Sequence, residues 1–243
     1  MRFLSYALDL LQDPETPPGL KEAACAALVC GLDEHLDVPA AAPLAIWHWI
    51  RESTSKRWCA AQFSLGEVPN DQVFEAAVAA LRDPLSGNSL RELAYDVLSG
   101  GAHSARVPED LLAHVVDADT GHQHQVMGLI THVHAARGLS AGFLRSVRDR
   151  LAGSPLPASR EMAVDIAAIM TEPDEAFWAT MIDDPSDDVR CTVASKIRRK
   201  VSPKFGVALL KKRLEREQVI EVLAELHRAM MAALKHLDEV ERD

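Results

Sequence analysis

The stretch "DDPSDDVRCTVASKI", Asp183 to Ile197, constrains the fold more than any other, because versions of it recur along the chain. In each, a turn rich in Asp, Pro, Ser or Gly leads to a basic residue, with a small residue three positions on and an apolar one at seven. "LLQDPETPPGLKEAACAALV" gives Lys21, Ala24 and Leu28, and "SKRWCAAQFSL" gives Arg57 and Ala60. "LRDPLSGNSLRELAYDVL" gives Arg91, Ala94 and Leu98, and "GSPLPASREMAVDIA" gives Arg160, Ala163 and Ala167. The first stretch gives Arg190, Val193 and Ile197, while "DADTGHQHQVMGLITH" fits with Gln125 in the basic slot and Gly128 in the small one. Slots at 21, 57, 91, 125, 160 and 190 stand 36, 34, 34, 35 and 30 residues apart. Such a near-constant period marks stacked supersecondary units.

Ahead of the slots lie further apolar helical segments, "FLSYALDLL", "LAIWHWI", "VFEAAVAAL", "DLLAHVV", "FLRSVRDRL" and "AFWATMI". Each unit therefore reads as helix A, a turn, then helix B, with Asp or Ser beside Pro supplying turn and N-cap chemistry. Aromatic residues make up only 5% of the chain and β-branched alternation is scarce, which excludes a sheet-built core and predicts an all-α protein.

The turn-and-helix pattern resembles the HEAT-repeat superfamily, whose second helix starts from an Asp-containing turn with Val-Arg and a small residue three or four positions on. "DDPSDDVRCTVASKI" and "LRDPLSGNSLRELAYDVL" carry it best, and it covers about residues 3–200. Unit two has a shortened turn and unit four lacks the Arg. The resemblance implies a single domain over 1–243, a curved α-solenoid of about six helical pairs, with helices B lining its concave side.

Beyond Pro203, residues 204–241 read as a long terminal helix or helices, with no Pro or Gly after Gly206. Val219, Leu223, Leu226, Met230, Ala233, Leu237 and Val240 follow a four-three spacing and make one apolar face. A solenoid needs its last open face covered, so this segment reads as a cap. A coiled-coil-like homodimer contact is the alternative.

A net charge of −10 argues against a nonspecific grip on nucleic acid and in favour of neutral or basic partners. Cys25, Cys30, Cys59 and Cys191 form no C-x-x-C pair, and no signal-peptide pattern opens the chain, so small thiols in a reducing cytoplasm are expected. No apolar run reaches the roughly 18 residues of a membrane span.

No phosphate loop, nucleophile elbow or paired zinc knuckle occurs, so catalytic residues and cofactors are expected to be absent. His122, His124, His132 and His134 cluster in "GHQHQVMGLITHVH". On a helix, residues two apart point about 200° apart, and residues eight apart lie about 12 Å apart along the axis, so no metal site is expected.

With the slot's −1, +3 and +7 neighbours buried, positions +1 and +5 face outward. These are Glu92 and Asp96 in unit three and Glu161 and Asp165 in unit five, with Glu22 at +1 in unit one. Unit four puts Val126 and Ile130 there, and unit two puts Trp58 at +1. The carboxylates suit either a solvated face or a site for a basic protein. The apolar residues are either interface anchors or, with a shifted register, core. Slot cations read as bridges to turn carboxylates and helix ends. Pairs separated by a whole repeat stand roughly 20 Å apart, too far for a catalytic acid and base. The expected function is a non-enzymatic protein-binding module, an adaptor or an immunity-type inhibitor of a basic protein. The resemblance also admits an alkylpurine DNA glycosylase, which would need a basic channel, or a subunit like those of bilin lyases.

Overall fold

A computed structural model describes residues 2–52, 64–197 and 200–240. Among these the protein is all-helical, with no strand. Trp58, Arg57, Ala60 and Cys59 lie outside the described residues. The chain forms two compact units, Met1–Gly138 and Leu139–Asp243.

The first unit begins with α1 (Arg2–Gln12), α2 (Pro18–Asp33) and α3 (Ala42–Glu52). It continues through α4 (Asp71–Arg82), α5 (Asn88–Ser99), a 3-10 turn at Ser104–Arg106, α6 (Glu109–Ala118) and α7 (Gln123–Arg137). Here α1 packs on α2, α4 on α5 and α6 on α7, while α5 also packs on α7. The second unit contains α8 (Ala141–Ala152), α9 (Pro157–Ile169), α10 (Glu175–Met181), α11 (Asp187–Ile197), α12 (Pro203–Leu214) and α13 (Ile220–Val240). In it α8 packs on α9 and α12 on α13, and α11 lies against both α9 and α13.

Local chemistry explains where helices start. Pro18, Pro157 and Pro203 open α2, α9 and α12, where a missing N–H costs nothing and the fixed φ suits the first turn. Elsewhere a side-chain oxygen takes the orphan N–H two or three residues on. Asn70 accepts from Val73 N at 3.0 Å, Ser140 from Phe143 N at 3.1 Å and Asp174 from Phe177 N at 3.0 Å. One close backbone approach needs glycine, since a Cβ at Gly100 would sit 2.3 Å from the Gly66 carbonyl oxygen.

The small slot neighbours Ala24, Ala94, Ala163 and Val193 are all buried, where their size lets helices come close. In the second unit Val193 joins a core that includes Val164, Trp178, Val189, Ile197, Leu210 and Leu226.

Residues 204–240 form a helix pair rather than one long helix. The buried face of α13 is Val222, Leu226, Ala229 and Ala233, with Val219 and Met230 at its margin. That is a partial rotation from the four-three stripe, because α13 must meet both α11 and α12. Ile220, Met231 and Leu234 remain exposed. Among the described residues no helix is long and apolar enough to cross a membrane.

Candidate functional site

Arg91 and Arg190 are buried, Arg160 is partly buried, and all three are spoken for. Arg91 donates from Nε to Asp119 Oδ2 at 2.8 Å and reaches back to the carbonyls of Leu81 and Asp83 in its own turn. Arg160 grips Asp184 with two bonds of 2.7 and 2.9 Å and holds the carbonyls of Ser154 and Pro155 at 3.0 Å. Arg190 grips Glu217 at 2.8 and 3.1 Å and holds the carbonyls of Asp184 and Pro185. In each case one guanidinium ties its own turn to a carboxylate in the turn that follows the next helix A. The planar fork allows this, since its donors point in two directions at fixed angles.

These carboxylates are held ionised. Burial alone would raise the pKa of Asp119, but hydrogen bonds from His122, Tyr95 and Arg91 outweigh it and bring it down. Against the same opposing effect of burial, Arg160 and the Ser186 N–H lower that of Asp184. Arg190, Arg213 and two backbone N–H groups bring Glu217 down to about 2. Such groups serve the scaffold and have no spare capacity for a ligand.

The outward positions behave differently. Glu92 and Asp96, one turn apart on α5, are exposed. The protein crowded around the Asp96 carboxyl, and then the like charge of Glu92, raise its pKa. On α9, Glu161 and Asp165 are partly exposed. Thr192 Oγ1 donates to Glu161 at 3.3 Å, and Lys196 lies 3.2 Å from Asp165. Burial first, then Asp188 on α11, raise the pKa of Glu161, with Thr192 opposing and Asp165 adding to the rise. Burial, then Glu225 on α13, then Asp188 and Asp187, raise that of the Cys191 thiol. The second unit thus gathers Glu161, Asp165, Asp188 and Glu225 on three helices packed in turn, α9, α11 and α13. Asp188 lies three residues before the +1 position of α11, one turn along the same face. Extending the +1/+5 reading by one turn toward the helix start would have found it.

Val126 and Ile130 are not on this face. They are 1% and 0% exposed and belong to the core of the first unit. The register there is shifted by two. Asp119 stands six residues before position 125, as Asp184 stands before Arg190, but α7 starts early and position 123 takes the place of the slot. From 123, Val126 and Ile130 fall at the buried +3 and +7 positions, and His124 and Gly128 at +1 and +5.

The four histidines do not converge. His122 is buried with Nδ1 2.8 Å from Asp119 Oδ1, His124 is exposed, and His132 Nδ1 bonds the carbonyl of Gly128 at 2.8 Å. Among the described residues no group of three or more His, Cys, Asp or Glu side chains is placed to hold a metal ion. Cys25 is buried, which pushes its thiol up to about 12. In the C-terminal basic stretch Arg213 is occupied, pairing with Asp183 and Glu217.

No protein-family model matches this sequence, and no curated protein matches it. One solved structure it is similar to is the crystal structure of an engineered protein, at 17% identity and a TM-score of 0.37, covering 97% of this chain and 98% of that one.

Proposed function

We propose that this chain is a non-enzymatic, HEAT-like helical-repeat module that grips a basic protein partner through the outward carboxylates of its B helices. The reading is carried by one observation. Glu161, Asp165, Asp188 and Glu225 crowd one surface of the second unit, and there the Glu161 pKa is raised instead of lowered. A scaffold carboxylate is neutralised by its own cation, as Asp184 and Glu217 are. Asp165 and Glu225 each have a solvent-facing partner, Lys196 at 3.2 Å and Arg228 at 2.6 Å, whereas Glu161, left among like charges, is relieved by a cation from outside. Glu92 and Asp96 repeat the feature in the first unit. The charge of these faces suits an inhibitor of the immunity type or an adaptor, and it runs against an enzyme that must hold a phosphate backbone. The partner residues are thus Glu92, Asp96, Glu161 and Asp165, joined by Asp188 and Glu225.

Immobilised parent protein should capture a basic protein from its native cell at about 0.05 M salt and release it near about 0.3 M, where screening shortens the field. Baits carrying Glu161→Lys with Asp165→Lys, or Glu92→Lys with Asp96→Lys, should lose that capture while keeping their helical circular dichroism. Equal capture by all three baits would refute the reading.

A further inference from the structure

The helix α13 is apolar on two sides. Val222, Leu226, Ala229 and Ala233 face the core of the second unit. On the other side Ile220, Ala224, His227, Met231 and Leu234 are exposed and follow the four-three spacing of a coiled-coil seam. This seam lies one residue on from the stripe read in the sequence, and its large members stand well out in solvent. Ile220 is 76% exposed, Met231 68% and Leu234 39%. Leu223, Met230 and Leu237, half-buried, widen it along one edge. A surface helix needs one apolar face to hold it in place, and a second, solvent-facing one marks a contact surface.

The charges on the opposite edge identify what covers it. Glu221, Arg228 and Lys235 stand seven residues apart and so line that edge, acid at the start of the helix and cations further on. A parallel copy of α13 would lay this edge against the Leu223, Met230 and Leu237 edge, where no charge answers it. An antiparallel copy lays it against itself reversed, so Glu221 meets the other copy's Lys235, twice about a two-fold axis. The two Arg228 side chains then come together near the axis, and each is neutralised by its own Glu225 at 2.6 Å. In this register Leu234 packs against the other copy's Ala224, large on small. We propose that this seam pairs α13 antiparallel with α13 of a second copy of the chain. From Ile220 to Leu234 it runs about 21 Å, which sets the contact at the small end of specific interfaces, below about 1,200 Å² in all, and makes the dimer weak and concentration-dependent. The seam carries none of the carboxylates assigned to the basic partner, so this proposal stands apart from that reading.

Sedimentation equilibrium of the full chain, from about 5 to about 500 µM at about 0.15 M salt, tests it. The parent should pass from monomer to dimer within that range. Met231→Glu with Leu234→Glu should stay monomeric throughout and keep the parent's circular dichroism, because both side chains face solvent. Glu221→Lys should weaken the dimer about fivefold, since two symmetry-related pairs turn repulsive, and adding Lys235→Glu should restore the parent's affinity. That charge series decides the question even where the double Glu variant fails to fold. A parent that stays monomeric to the top of the range, or a dimer indifferent to the seam substitutions, overturns the proposal. A dimer that Glu221→Lys leaves unweakened, or that the exchanged pair fails to restore, overturns the antiparallel pairing.

Discussion

In Leu139–Asp243 the turn bridges join end to end. Arg160 holds the Asp184 side chain, the Asp184 carbonyl receives Arg190, and Arg190 holds Glu217. In Met1–Gly138 the corresponding positions are uneven. Arg91 takes Asp119 through one bond and shares it with Tyr95 and His122, Gln123 replaces the cation in the fourth pair, and Lys21 makes no ion pair among the described residues. The difference teaches what the guanidinium contributes. A guanidinium fork can hold its own turn and the next turn's carboxylate together, which a Lys or Gln in that place does not do. Buried ion pairs add little stability compared with apolar residues of the same size, but removing one partner strands a buried charge. The bridges therefore act by fixing how successive pairs meet.

The largest expected effect tests the close helix contacts that the bridges position. Ala163→Glu and Ala94→Glu should each cost about 4–5 kcal/mol or more, because an unpaired charge would enter a fully buried site. Limited proteolysis should show the damage in the unit that carries the substitution. A folded Ala163→Glu protein would mean that this contact is loose.

Next, the slots themselves should rank by how completely they are paired. Arg160→Met should cost about 3–5 kcal/mol by leaving Asp184 buried without its cation, Arg91→Met less because Tyr95 and His122 remain, and Lys21→Met within about 0.5 kcal/mol. Urea midpoints with unchanged slopes would measure the series. Equal costs at positions 21 and 160 would erase the contrast drawn above.

A smaller effect is the response to acid. Glu217, Asp184 and Asp119 have folded pKa values below their unfolded ones, so the stability they add is complete above the ordinary carboxylate range, near about 4. It is lost as pH falls from there, toward about 2 in the case of Glu217. Glu217→Gln should flatten that acid limb. Glu161 and Asp96 have raised values and the opposite sign, so their charges cost stability at neutral pH and the cost disappears as they protonate. Glu161→Gln should thus give a small gain in stability at pH 7 while weakening partner capture. A loss of both would make Glu161 a scaffold residue.

The helical period and its buried small residues were legible because each slot carries its cue within a dozen residues. Asp or Ser beside Pro, Arg, then Ala or Val is enough to place Arg91, Ala94, Arg160, Ala163 and Arg190. The bridge acceptors were not legible by name. Asp119, Asp184 and Glu217 lie 28, 24 and 27 residues after their arginines, in turns of differing length. Glu217 has no neighbouring Pro to mark a turn at all. Val126 and Ile130 were misplaced because Gln125 sits at the expected period, whereas burial is decided by where α7 begins. Apolar character argued for their burial as strongly as the period argued for exposure, and packing settled it.

The central claim is that carboxylates outside the bridges form the binding face, and its most direct measurement is the association rate of the captured basic partner with three proteins. These are the parent, Glu92→Lys with Asp96→Lys, and Glu161→Lys with Asp165→Lys, each measured at about 0.05 M and about 0.3 M salt. Both reversals should slow association about tenfold at low salt and flatten its salt dependence, with dissociation changing less. Rates equal to the parent's in both folded variants would contradict the claim and move the partner to another surface.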